Sequence, residues 1–124
     1  MGTQLLERGR AAEPGASPLS VSVVIPCLNE AENIQQCVTK ARMVLGEHCL
    51  EGEVVVVDNG STDGSGALAR AAGARVVEEP RRGYGSAYLA GFAAARCDVI
   101  VMADADLTYD FDEIPRFLAE LESG

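Results

Sequence analysis

The chain has 124 residues, 48% of them hydrophobic and 23% charged, which predicts one globular domain rather than a disordered or fibrous chain. Its net charge of -9 argues against nonspecific affinity for nucleic-acid phosphates. No apolar run approaches the ~20 residues of a membrane span, and the four cysteines lack the Cys-x-x-Cys spacing of a zinc or redox pair.

Residues 1–20 mix charged and small residues with two prolines, without the apolar stretch of a signal peptide, and are expected to form a flexible tail. Residues 21–124 form the domain. Cys37 and Cys97 fall at positions patterned as core, so reduced thiols in a cytoplasmic protein are expected.

Val21 to Ile25 reads as a strand that stops at Pro26. Glu30 to Gly46 follows with Ile34, Val38, Ala41 and Leu45 at helical spacing, and Asn29 is placed to cap it. Glu53 to Val57 is a second strand, closed by Asp58. The turn cluster Asn59 to Gly64 opens a helix over Thr62 to Ala72, with Leu68, Ala71 and Ala72 inward and Gly73 ending it. Ala74 to Val77 is a short third strand. After a loop holding the adjacent pair Arg81 and Arg82, Gly85 to Arg96 is an Ala-rich helix, with Leu89 and Phe92, that should pack closely on a sheet. Val99 to Ala103 is a fourth strand ending at Asp104 and Asp106. Asp112 caps a last helix with Ile114, Phe117, Leu118 and Leu121 on its apolar face.

Four βα units with helix-length crossovers demand an α/β fold: an open parallel sheet with helices on both faces. Ligands of such sheets sit beyond the carboxyl ends of the strands. The polar clusters all fall on that rim: Pro26 to Glu30, Asp58 to Asp63, Arg81 to Gly85, and Asp104 to Asp106. Two carboxylates one residue apart repel unless a cation lies between them. Asp104 and Asp106 therefore fit a divalent-metal site holding phosphate oxygens, or a solvated turn that caps the next segment. Asp58 fits an acceptor for ribose or base, while for Asn59 and Asp63 a bond to the backbone amides of the turn fits as well. Glycines with two arginines before a helix suit an approaching phosphate. The spacing is not the dinucleotide fingerprint, because Tyr88 stands where its third glycine would be.

The segments Val23 to Glu30, Val55 to Asp63, Arg81 to Ala87 and Ala103 to Asp106 together resemble family 2 glycosyltransferases of the Rossmann-like GT-A fold. The likeness is to polyprenyl-phosphate hexose synthases, of the dolichol-phosphate mannose or glucose type, over about residues 20–122. The resemblance implies a nucleotide-diphospho-sugar donor and Mg2+ or Mn2+. By likeness, Pro26, Leu28 and Glu30 line the nucleobase pocket, Asp58 holds base or ribose, and Arg81 and Gly83 lie near the donor. Asp104 faces ribose and metal, and Asp106 ligates the metal as the catalytic residue. A lipid-phosphate acceptor would attack with inversion and without a protein base. Many relatives carry a second Asp where Asn59 stands.

The resemblance further implies that the chain is the donor-binding part of a longer catalytic domain, with a sheet edge left bare. Acceptor site, a further metal ligand and any membrane attachment would lie elsewhere, at the cytoplasmic face of a membrane. Two other readings stand beside it. One is a non-catalytic nucleotide-sugar-binding fragment. The other is a haloacid-dehalogenase-like phosphohydrolase, with Asp104 as nucleophile and Asp106 as acid. That signature belongs after a first core strand, and here it follows the fourth.

Overall fold

The computed structural model describes residues 4–7 and 19–123. Its strands are β1 (Gln4–Glu7), β2 (Val21–Cys27), β3 (Gly52–Asp58), β4 (Arg75–Glu78) and β5 (Val99–Met102). Its helices are α1 (Ile34–Glu47), α2 (Ser65–Ala71), α3 (Tyr84–Ala94) and α4 (Glu113–Ser123). The five strands form one sheet in the order β1-β5-β2-β3-β4. β5, β2, β3 and β4 are mutually parallel, as expected, and β1 runs antiparallel to β5.

β1 differs from the expectation of a flexible tail. Gln4 pairs with Met102 and Glu7 with Val99, so four residues of that tail complete a ladder. The physical reason is the flank of β5, whose backbone groups would otherwise form an unpaired edge. Residues 1–3 and 8–18 lie outside the described residues.

Period-two alternation divides the strands between two cores. Val21, Val23, Ile25, Val54, Val56, Val99 and Val101 face one side, against Ile34, Cys37, Val38 and Ala41 of α1, Ala69 of α2, and Ile114 and Leu118 of α4. Val24, Val55, Val57, Ile100 and Met102 face the other, against Ala87 of α3. Among the described residues, helices thus cover both faces, α1, α2 and α4 on one and α3 on the other. α3 approaches closely because its contact residues are small. A Cβ at Gly91 would stand 2.4 Å from Val24 Cγ1 and 3.2 Å from Val57 Cγ2.

Several local expectations are corrected. β2 does not stop at Pro26 but runs through it to Cys27, opposite Val57 and Asp58. Proline is tolerated there because the β5 ladder ends at the Val24–Met102 pair, two residues earlier, so no bond is lost. α1 begins four residues later than expected, and Asn29 does not cap it. Asn29 takes a left-handed φ of 54° and bonds elsewhere, while Asn33 precedes the helix without a side-chain cap. In α2, Ser65 and Ala69 are the buried residues; Leu68 and Ala72 pack half-buried against the same core as expected, and Ala71 is exposed. In α3, Leu89 and Phe92 point outward, Leu89 at 70% exposure. Cys37 is buried as expected, and Cys97 is half-buried. The apolar face of α4 is as expected, with Ile114 and Leu118 buried and Phe117 and Leu121 half-buried.

A polar knot ties the amino ends of the strands together. The fully buried Ser22 donates to Glu53 Oε2 at 2.7 Å, the Arg96 N–H donates to the same oxygen at 2.9 Å, and Arg75 Nη2 reaches Glu53 Oε1 at 2.8 Å. Burial opposes the charge on Glu53, but the Ser22 hydroxyl, Arg75 and the Arg96 amide outweigh it and hold the carboxyl below its ordinary value. A group so depressed stabilises the fold above its unfolded value, about 4.3, and loses that contribution as pH falls through the folded value. Glu53→Gln is therefore expected to melt below the wild type at pH 7, with the gap narrowing under acid. Thermal melts from neutral to about pH 3 check this; a gap independent of pH would show that the charge contributes nothing.

Candidate functional site

The strand order places the site. The chain steps from β2 outward to β3 and β4, then returns through α3 to lay β5 on the other flank of β2. The carboxyl ends of β2 and β5 therefore diverge at a topological switch point, where a crevice opens. A cavity of about 280 Å3 lies there. Pro26, Cys27, Leu28 and Glu30 enter it from β2, and Asn59 from β3. Gly83, Tyr84 and Ala87 line it from the start of α3, and Asp104, Ala105 and Asp106 from β5.

Of the residues expected from the sequence, Pro26, Leu28, Glu30, Gly83, Asp104 and Asp106 share this cavity, and Asp58 and Arg81 do not line it. Asp58 Oδ1 accepts the Ser61 N–H at 2.9 Å. Its Oδ2 lies against α2, where a Cβ at Gly66 would come within 2.7 Å of it. Arg81 folds back onto Glu79, Nη2 to Oε1 at 3.0 Å. Arg82, with no carboxylate partner among the described residues, lies over Gly60, where a Cβ would stand 3.4 Å from its Nε. Adjacent arginines are indistinguishable by pattern; only Glu79 separates them. Tyr84, Ala87 and Ala105 were not expected in the site. Tyr84 carried one signal, its place between two glycines at a helix start.

The two aspartates differ. Asp104 is buried at 7% exposure, and the Tyr84 hydroxyl donates to its Oδ1 at 3.4 Å. Burial, then the charge of Asp104, push the Tyr84 phenol up, so it remains a protonated donor. Asp106 is exposed. Its Oδ1 accepts the Thr108 hydroxyl at 2.5 Å and the Thr108 N–H at 3.1 Å, which hold its carboxyl below the ordinary value. Leu107 between them takes φ 67°, a left-handed conformation costing about 1–2 kcal/mol for an L-residue. Strain of this kind persists only where surrounding contacts fix it.

The donor set suits a hard divalent cation. Asp104 and Asp106 line one cavity, and among the described residues no group of three His, Cys, Asp or Glu could enclose an ion. Mg2+ characteristically takes one or two carboxylates and fills its other positions with water and substrate phosphates. The residues present fit such an ion and not a closed structural zinc site.

The rim loops are interlocked. Asn29 Oδ1 accepts the Thr62 N–H at 2.8 Å, the Asn29 N–H donates to Ser61 Oγ at 2.9 Å, and the Glu30 N–H donates to Ser65 Oγ at 2.9 Å. Ser65 Oγ in turn donates to Asp63. Cys27 sits beneath them, and burial pushes its thiol up, so it is no nucleophile at neutral pH.

Known proteins resemble this chain in sequence and fold. Residues 22–124 match the model of Glycosyl transferase family 2. Over 105 residues the chain is 46% identical to the low-salt glycan biosynthesis hexosyltransferase of Haloferax volcanii, covering 85% of this chain and 25% of that protein. It is 38% identical over 112 residues to the undecaprenyl-phosphate 4-deoxy-4-formamido-L-arabinose transferase of Pseudomonas fluorescens, covering 84% of this chain and 33% of that one. Among solved structures it resembles glucosyl-3-phosphoglycerate synthase of Mycobacterium tuberculosis in complex with Mn2+, UDP-glucose and phosphoglyceric acid. There the TM-score is 0.73 at 30% identity, covering 86% of this chain and 40% of that one. The chain thus spans between a quarter and two-fifths of the length of these relatives. The phosphohydrolase reading of Asp104 and Asp106 gives way to these matches. With the fold, the switch-point cavity and the paired aspartates in place, the chain belongs to glycosyltransferase family 2, with the GT-A architecture.

Proposed function

We propose that this chain binds the donor in the transfer of a hexose from a nucleotide-diphospho-sugar to a polyprenyl phosphate. The observation that carries the reading is the single cavity joining Asp104 and Asp106 to the Pro26–Glu30 turn. The name of the Haloferax relative supports hexosyl transfer, that of the Pseudomonas relative supports a polyprenyl-phosphate acceptor, and the Mn2+ and UDP-glucose in the solved synthase support the donor.

In this reading Pro26, Leu28 and Glu30 take the nucleobase, with Glu30 accepting its N–H. Asp58 serves base or ribose by turning Oδ2 from Gly66 toward the cavity, and Gly83 lets the backbone approach the donor. Arg82, rather than the Glu79-bound Arg81, offers its charge to the diphosphate. Asp104 and Asp106 hold Mg2+ or Mn2+, which when bound supplies Lewis-acid neutralisation of the leaving diphosphate. Asp106, whose carboxyl Thr108 holds below the ordinary value, is an ionised ligand at neutral pH. The acceptor phosphate oxygen forms a bond to the anomeric carbon as the bond from that carbon to the diphosphate oxygen breaks, with inversion. The acceptor is already an anion, so no side chain need take a proton, and orientation and charge stabilisation account for the rate. Among the described residues no helix is long and apolar enough to cross a membrane. In this reading attachment at the cytoplasmic face of a membrane comes through the lipid acceptor or through a further C-terminal part of a longer protein.

Titration of the purified chain with UDP-glucose and GDP-mannose, with and without Mn2+, tests the reading. Metal-dependent binding of one donor is the expected result, and transfer to undecaprenyl phosphate in the same preparation would separate a catalyst from a binding fragment. Absence of binding to either donor, or a phosphoaspartate trapped at Asp104 from a phosphomonoester, would overturn it.

A further inference from the structure

We propose that Asn59 is the positioning residue of the donor cavity, and that its neutral amide sets where Arg82, Gly83 and Tyr84 stand. The inference rests on the donor reading above. Asn59 is buried at 5% exposure at the end of β3, and its own N–H is anchored on the Cys27 carbonyl at 2.9 Å. Its side chain reaches across to the loop before α3. Nδ2 donates to the carbonyls of Glu79 and Arg81, each at 2.8 Å, and Oδ1 accepts the Gly83 N–H at 3.1 Å.

These bonds use both donors of the amide and one lone pair of its oxygen, so the side chain is satisfied at each end. They also fix its orientation, since a flipped amide would set oxygen against two carbonyl oxygens. A carboxylate at this position would keep only the bond from Gly83. Its second oxygen would face the Glu79 and Arg81 carbonyls inside the protein, where such repulsion is poorly screened.

The loop has little else to define its path. Glu79 meets the backbone of Asp58, and its carboxylate holds Arg81. Gly83 then takes φ 114° and ψ 155°, a conformation open to glycine, and α3 starts without a side-chain cap. The bonds from Asn59 flank Arg82 on both sides, at the Arg81 carbonyl and the Gly83 amide. The amide therefore directs Arg82 outward and brings Gly83 and Tyr84 onto the cavity wall, beside Asp104.

The test compares wild type, Asn59→Asp and Asn59→Ala for UDP affinity with Mn2+, well below the melting temperature, in samples shown folded by circular dichroism. Both variants are expected to bind UDP at least tenfold more weakly, with Asp no better than Ala, and amide shifts should change at Gly83 and Tyr84. A merely structural role would lower the melting temperature and leave affinity unchanged. Should the variants not fold, the wild type alone decides. Slow hydrogen exchange at Gly83 and two resolved Asn59 side-chain N–H signals are expected, and fast exchange at both would overturn the clamp. A wild type that binds UDP while Asn59→Asp matches it sinks this inference alone. A wild type that does not bind UDP sinks the donor reading with it.

Discussion

Asp106→Ala is expected to weaken Mn2+-dependent binding of a nucleotide sugar by at least about 100-fold, while the variant folds normally. Residues that only orient a metal ligand cost about 10–100-fold in metal affinity when removed, so a ligand itself should cost no less. Asp106 is exposed and, among the described residues, its carboxylate is held by Thr108, two residues away, so little of the fold depends on it. Asp104→Ala should abolish binding to the same extent but also disturb the apo protein, because Asp104 is buried and receives the Tyr84 hydroxyl. The contrast is measurable in one experiment. A ligand present at 100 times its dissociation constant stabilises the native state by about 2.7 kcal/mol, which for a domain of this size raises the melting temperature by roughly 10 °C. Wild type should show that rise with Mn2+ and UDP together. Asp106→Ala should show none from an apo melting temperature within about 2 °C of wild type. An unchanged rise in Asp106→Ala would remove the metal from this pair of carboxylates.

The second large effect is steric and lies on the opposite face of the sheet. Gly91→Ala is expected to destabilise the protein by about 1–3 kcal/mol, the usual cost of forcing a methyl into a packed core. The new Cβ would lie 2.4 Å from Val24 Cγ1, and Val24 and Val57 are both fully buried with no room to yield. α3 would have to lift from the sheet. Because its first turn carries Gly83 and Tyr84 into the cavity, donor affinity should fall with stability. Gly85, in the same helix, is the control, since a Cβ there meets nothing within 4 Å. Gly85→Ala should be neutral or stabilising by up to about 1 kcal/mol, the propensity gain of alanine in a helix. Denaturant unfolding of the two variants checks the opposite signs. Equal effects would mean that close packing of α3 is not what Gly91 serves.

Much of the site was legible because its chemistry sits at strand ends. Pro26, Leu28, Glu30, Asp104 and Asp106 each follow an apolar run, and parallel strands bring every such end to one rim. What was not legible depends on partners distant in the chain. Asn29 has the composition of a helix cap, yet it bonds Thr62, 33 residues on. Asn59 reads as a turn residue, yet its amide serves carbonyls 20 and 22 residues away. Arg81 and Arg82 share one local pattern, and a buried Glu79 assigns the first to itself. Leu89 and Phe92 looked like core, but the sheet accepts only the small side of α3.

The amino-acid sequence by itself determined the element types, the parallel sheet and the rim on which the polar clusters gather. Those follow from local periodicity and from the handedness of βα crossovers, which act over short stretches of chain. Tertiary structure alone decided that β5 returns beside β2 and that β1 closes its flank, placing Asp104 and Asp106 against Pro26 to Glu30. Strand order is a choice among global packings that leave every local pattern unchanged. It is settled by which faces and backbone edges are buried together, and the cavity exists only in the order adopted.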